Sequence, residues 1–174
     1  MAIDIPQDDL TRDALITAKL SELGIAFERI EHAPILTTRE GAEIAARTGS
    51  LCMKNLFLSS KKGRWLLLMP AEKSFSSKDL ATQIGSGHLS FGSDEDLKQL
   101  LGTYRGAVTC LGLLFDVEGR VQVLIDEDLL QVDRVDCHPC RNTATLAIQM
   151  HDILERWLPA TGHGDYRCVH VEAR

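Results

Sequence analysis

The residue types best suited to chemistry gather in one run, Val135-Asp136-Cys137-His138-Pro139-Cys140-Arg141-Asn142-Thr143-Ala144-Thr145. A C-x-x-C between a strand and a helix can be a redox dithiol, because a helix N-terminus lowers thiol pKa. It can be half of a zinc site, which needs a second pair of ligands. It can also be incidental, two small apolar residues at a strand-to-helix turn. The rest of the chain favours the last reading. A thioredoxin-like domain places its motif after an early strand of a β-α-β unit, whereas Cys137 and Cys140 stand late in 174 residues. A second zinc pair would have to be Cys168 and His170, whose one-residue spacing is poor for a structural site. Within the incidental reading His138 is still free to be functional.

A second chemically suggestive run is Cys52-Met53-Lys54-Asn55-Leu56-Phe57-Leu58, and a third is Arg105-Gly106-Ala107-Val108-Thr109-Cys110-Leu111-Gly112-Leu113. The elements that must position them follow from hydrophobic periodicity. Leu10 to Leu23 has helical spacing and stops at Gly24. Ile25 to Ile30 alternates as a strand. Thr37 and Glu40 form a capping-box pattern ahead of a short helix. Asn55 to Ser59 and Trp65 to Met69 read as a hairpin about Lys61-Lys62-Gly63, and the uniformly apolar WLLLM predicts a strand buried on both faces. Ser77 to Ile84 reads as a helix ended by Gly85. His88 to Phe91 reads as a short strand, and Ser93 caps a helix running to Leu101 before Gly102. Val108 to Phe115 and Val121 to Ile125 are expected to form a second hairpin. Val132 to Val135 is expected as a strand, Thr143 or Thr145 as the cap of a long final helix through Leu158, and Cys168 to Val171 as a closing strand. Hairpins outnumber crossovers, so the class is α+β with a mixed sheet. No G-x-G-x-x-G or Walker loop supports a nucleotide fold.

Length and composition bound the function. One domain spanning 1–174, with its core at about 10–172, is the expectation for 174 residues. The chain is 44% apolar and 25% charged, ordinary for a globular protein. No apolar run approaches the roughly 18–20 residues of a membrane span. The acidic start MAIDIPQDDL lacks the basic-then-apolar pattern of a secretory leader, which points to the cytoplasm. Five scattered cysteines do not resemble a disulfide framework. The net charge of −6 weighs against a general nucleic-acid binder. It leaves room for a local basic patch of Lys54, Lys61, Lys62 and Arg64, followed by Lys73 and Lys78; the same group also reads as a solvated hairpin tip.

The three runs, CMKNLFL, RGAVTCLGL and HPCRNTAT in that order, resemble the YbaK/prolyl-tRNA synthetase-associated editing family, and most closely its free-standing ProX/PrdX-type deacylase branch. The resemblance extends from about Leu10 to the final helix. It implies a mixed-sheet editing domain that hydrolyses the ester between an amino acid and the 3′-terminal adenosine of tRNA, with Ala-tRNA(Pro) as the expected substrate. It implies no cofactor and no metal. The partners it implies are the tRNA acceptor 3′ end and prolyl-tRNA synthetase.

Carried residue by residue, the resemblance makes Lys54 the functional lysine. A lysine protonated at neutral pH suits a terminal phosphate or the charge developing on a carbonyl oxygen. Asn55 would orient a substrate group or cap its strand. His138 would donate to the ester, orient water or shuttle a proton. Gly106, Ala107, Val108 and Thr109 match a G-x-x-x-P loop whose backbone approaches the substrate, with Cys110 standing where the family has proline. Cys137 would flank the amino-acid pocket, and Arg141 would help bind substrate. Asn142, Thr143 and Thr145 are expected to cap the last helix. The neighbouring ribose hydroxyl is the expected aid to water activation, since no G-x-S-x-G nucleophile elbow is present. Two other functions fit parts of the chain: a non-catalytic module that holds tRNA ends or a synthetase, and a thiol oxidoreductase using Cys137 and Cys140.

Overall fold

The computed structural model describes residues 4–172; residues 1–3 and 173–174 of the expected 1–174 domain lie outside it. Helix α1 (Asp9–Glu22) begins where the Asp8 carboxylate accepts the Thr11 N–H at 2.8 Å, and it buries Ile16 and Leu20. Strand β1 (Phe27–Glu31) follows. Helix α2 (Thr38–Thr48) carries the expected Thr37–Glu40 capping box and ends at Gly49 in the left-handed region. The hairpin of β2 (Met53–Ser60) and β3 (Gly63–Pro70) pairs Lys54 with Met69. Leu66 and Leu68 of β3 enter the larger hydrophobic core, while Trp65, Leu67 and Met69 enter a smaller one. WLLLM is thus buried on both faces, as its composition requires.

Helix α3 (Ser77–Ile84) and strand β4 (Ser90–Phe91) come next, then α4 (Asp94–Asp96), which continues as a π-helical turn over Leu97–Leu101. Strand β5 (Val121–Asp126) lies beside β3 in parallel, and β8 (Arg167–Val169) lies parallel to β5. The larger sheet has the order β4-β2-β3-β5-β8, mixed in direction. Strands β6 (Arg134–Cys137) and β7 (Ala144–Gln149) join β1 in a three-stranded antiparallel sheet of order β1-β7-β6. A short α5 (Met150–Asp152), a π turn over Ile153–Trp157 and α6 (Leu158–Ala160) follow β7.

Two expected elements take other forms. Val108 to Phe115 is not a strand: Cys110–Phe115 is a 3₁₀ helix capped by the Thr109 hydroxyl. A continuous apolar run cannot by itself tell a buried strand from a buried helix. Here Gly112 decides the packing, because a Cβ on it would stand 2.5 Å from the Leu101 carbonyl oxygen. Residues 144–149 are a strand, so Thr143 and Thr145 cap no helix. Ala144 to Ile148 are buried throughout, as suits the middle strand of the smaller sheet, and the helix begins only at Met150.

A parallel bridge, Leu51 to Val135, joins the two sheets. Leu51 N–H donates to Arg134 O at 2.8 Å, and Asp136 N–H donates to Leu51 O at 3.1 Å. This stitch sets the start of β2 beside the end of β6. It brings the CMKN run against the DCHP run.

Candidate active site

At that junction lies a pocket of about 320 Å³. Lys54 and Asn55 reach it from β2, Asp136 and His138 from the end of β6, and Gly106 and Val108 from the loop before the 3₁₀ helix. The segment 35–38 and Gly41 of α2 form the facing wall. Period-two alternation explains why Asp136 and His138 share the pocket face while Cys137 between them does not.

Each side chain is held by a defined partner. Lys54 Nζ donates to the carbonyl of Lys73 at 2.7 Å. Asn55 Oδ1 accepts the Cys110 N–H at 2.9 Å, which ties β2 to the glycine-containing loop. Gly106 has φ +93°, in the region where side chains are rarely tolerated. His138 Nδ1 lies 2.9 Å from the Ala144 carbonyl. A carbonyl only accepts, so Nδ1 carries the proton and Nε2 of the neutral ring is an acceptor. Burial lowers the His138 pKa, against the pull of the Ala144 carbonyl, and favours that neutral form. Burial pushes Asp136 up to about 6 although it accepts the Met53 N–H and a hydrogen bond from Cys52. Burial, and next the Asp136 charge, raise the Cys52 thiol to about 12.

Several expected contacts are not made. Cys137 is buried, with its sulfur 4.0 Å from that of Cys110, and it points into the core and not beside the pocket. Ala107 and Thr109 are fully buried; the Thr109 hydroxyl accepts the Leu111 N–H, so it does not face a substrate. Arg141 lies away from the pocket. Its Nε donates to Asp13 at 2.7 Å, its terminal nitrogens clasp Glu31 at 3.0 and 2.7 Å, and Arg29 shares Asp13 at 2.6 and 2.9 Å. Its geometry is that of a strut locking the 138–143 turn onto α1 and β1.

The thiol alternative also fails on geometry. Cys140 is buried, donates to Leu101 O, and is raised to about 12 by burial. The adjacent Cys110 sulfur and burial raise Cys137. A redox pair needs accessible thiols of lowered pKa. Cys168 is exposed on β8, and among the described residues no group of three or more His, Cys, Asp or Glu is placed to hold a metal ion. Nor does the basic patch assemble: Lys73 is buried between Asp126 and Asp128, and Arg64 pairs with Asp96. Among the described residues no helix is long and apolar enough to cross a membrane.

Sequence reasoning passed over Asp136, Cys52 and the 35–38 wall. For Asp136 a signal existed: it stands two residues before His138 in a stretch expected to lead out of a strand, which puts both on one face.

Comparison with known proteins identifies the family. The family model for the aminoacyl-tRNA editing domain matches residues 32–155. The chain is 36% identical over 157 residues to the prolyl-tRNA editing protein ProX of Acetoanaerobium sticklandii, covering 89% of this chain and 95% of the relative. It is 34% identical over 170 residues to the prolyl-tRNA synthetase associated domain-containing protein 1 of Xenopus laevis, covering 94% and 98%. A crystal structure described as a candidate trans-editing enzyme for prolyl-tRNA synthetase shares the fold, with TM-score 0.69, 18% identity, and 94% and 98% coverage. The chain belongs to the aminoacyl-tRNA editing domain family, the enzymes that deacylate aminoacyl-tRNA.

Proposed function

We propose that the chain is a trans-editing hydrolase that deacylates mischarged tRNA(Pro), with Ala-tRNA(Pro) as its substrate. It would act as one cytoplasmic domain on the acceptor 3′ end, alongside prolyl-tRNA synthetase. The observation that carries this reading is the convergence of Lys54, Gly106 and His138 on one pocket in a chain of the editing family. The name of the A. sticklandii relative supports the prolyl assignment.

The reaction adds water across an ester. Water oxygen bonds to the carbonyl carbon, the bond to the ribose 3′ oxygen breaks, and that oxygen takes a proton. The products are the free amino acid and tRNA with a free 3′ hydroxyl. Lys54 spends one N–H on the Lys73 carbonyl, which leaves two donors for the oxyanion. The neutral His138 offers Nε2 as an acceptor that orients the attacking water, and the neighbouring ribose hydroxyl assists. Gly106 leaves room for the ester to approach backbone, and Val108 supplies an apolar wall. Asn55 holds the loop that carries both.

The test is loss of labelled amino acid from Ala, Pro, Ser, Thr and Cys on tRNA(Pro), and from Ala-tRNA(Ala), with Lys54→Ala as control. The expected result is fast loss from Ala-tRNA(Pro) alone, with Lys54→Ala at least about 100-fold slower and still folded. Preference for Ser, Thr or Cys would move the substrate. Saturable tRNA binding without ester loss would replace the enzyme with a binding module.

A further inference from the structure

Four aspartates are buried: Asp13, Asp116, Asp126 and Asp136. Three have a basic partner. Asp13 has Arg29 and Arg141, Asp116 has His163, and Asp126 has Lys73. Asp136 accepts the Met53 N–H at 2.6 Å and a hydrogen bond from Cys52. Among the described residues no basic side chain forms an ion pair with it. It is also the one buried aspartate of the four that lines the pocket.

A buried charge without a partner is costly. If the group served only to receive the Met53 N–H, an asparagine would do so without that cost. A carboxylate also has about four lone-pair positions, more than the Met53 N–H, the Cys52 thiol and the residue's own N–H occupy. The pocket therefore presents an unneutralised acceptor. An amino acid esterified to tRNA has lost its carboxylate and kept its amino group, which is protonated near neutral pH, with a pKa of about 7.7–8.0 for an unperturbed α-amine. Its amino-acid part is a cation.

We propose that Asp136 is the counter-charge for the α-ammonium of the bound aminoacyl group, so that the pocket selects esters of amino acids with a free amine. The inference rests on the editing reading of the site. Asp136 and His138 sit on one face of the strand end, about 6.6 Å apart along it. An ammonium anchored at Asp136 thereby leaves the ester toward His138 and Lys54. Cys52 and the Met53 N–H hold the carboxylate in place for it.

The experiment measures binding, not turnover, so that it stands apart from the deacylation panel. Two non-hydrolysable ligands are titrated by calorimetry at pH 7.5: 3′-deoxy-3′-alanylaminoadenosine, and its lactoyl counterpart, in which a hydroxyl replaces the ammonium. The full-length protein is expected to bind the alanyl compound about 10–100-fold tighter. Asp136→Asn, checked for folding by thermal melting, is expected to bind both equally, with lactoyl affinity unchanged. No preference in the parent protein, no binding of either compound, a preference that survives in Asp136→Asn, or an equal weakening of both ligands would each overturn the proposal. A preserved ammonium preference in a protein that hydrolyses no charged tRNA would sink the editing reading and leave this one standing.

Discussion

Asn55 and Cys110 are joined by a hydrogen bond from the Cys110 N–H to the Asn55 side-chain oxygen, 2.9 Å long. On its other side the Cys110 carbonyl accepts from the Trp157 indole N–H, also at 2.9 Å. The position is the one at which the G-x-x-x-P pattern calls for proline. A proline would hold the loop by fixing φ and would have no N–H to offer. This chain holds the same point from outside, with β2 gripping the N–H and the C-terminal helical segment gripping the carbonyl.

That exchange can be tested directly. Asn55→Ala leaves a buried N–H unmet, so a loss of about 1–3 kcal/mol in stability is expected, with slower deacylation as the loop loosens. Adding Cys110→Pro to Asn55→Ala is expected to restore part of both. Cys110 opens its 3₁₀ helix after an extended Thr109 (φ −154°, ψ 145°), a setting that accepts proline. Melting curves and single-turnover rates on the two variants check it. A double variant worse than Asn55→Ala in both would show that the N–H contact is not what positions the loop.

The Asp13–Arg141–Glu31 strut gives a stability prediction with a pH sign. Burial raises the Asp13 carboxyl, but hydrogen bonds from Arg29 and Arg141 outweigh it and hold the group below its ordinary 3.8. A carboxylate lowered on folding stabilises fully above its unfolded value, and that contribution is lost as pH falls through the folded value. Asp13→Ala should therefore cost on the order of 3–5 kcal/mol at pH 7, since it breaks a buried pair from one side. The gap between variant and parent should begin to narrow as pH falls below about 4. Chemical denaturation at pH 7 and pH 3 measures both. A gap independent of pH would assign the loss to packing.

Much of this arrangement was legible in the sequence, and the exceptions have physical causes. The β2–β3 hairpin was readable because a basic turn with glycine separates two apolar runs, and α2 because Thr37 and Glu40 stand three apart. Lys54, Asn55, Gly106, Val108 and His138 do converge. The 110–115 segment does not show its helix in the sequence, because burial on nearly all sides erases periodicity. The 144–149 segment hides its strand in the sequence, because Thr145 looks like a cap until its neighbours in space are known. Arg141 is a residue type that suits both substrate anions and internal carboxylates, and only the placement of Asp13 and Glu31 decides between them. Asp136 gained meaning only once every other buried aspartate proved to have a partner.

The cysteines predict a reactivity order. Cys168 is exposed, Cys52 is half-buried, and Cys110, Cys137 and Cys140 are buried. With Cys52 raised to about 12, it has little thiolate at pH 8. A chromogenic disulfide reagent should modify Cys168 quickly, Cys52 slowly, and the remaining three only on unfolding. Peptide mapping after timed labelling identifies the sites. Fast modification of Cys137 or Cys140 in the folded protein would reopen the thiol chemistry that their burial closes.

Asp136 is the place where stability and ligand selection pull in opposite directions. Its folded pKa, pushed up to about 6 by burial, lies above the ordinary 3.8. A carboxyl raised on folding stabilises the protein most below its unfolded pKa, and that advantage drains away as pH rises through the folded value. The parent protein should thus lose stability relative to Asp136→Asn between about pH 4 and pH 6 and change little above pH 7. Asparagine still accepts the Met53 N–H and carries no charge to bury. The expected outcome is a variant close to the parent in melting temperature at pH 4 and higher at pH 8, while its preference for a free amine is gone. A variant less stable than the parent at pH 8 would mean that the carboxylate is already neutralised within the folded chain. The unmet charge that motivates its role in binding would then not exist.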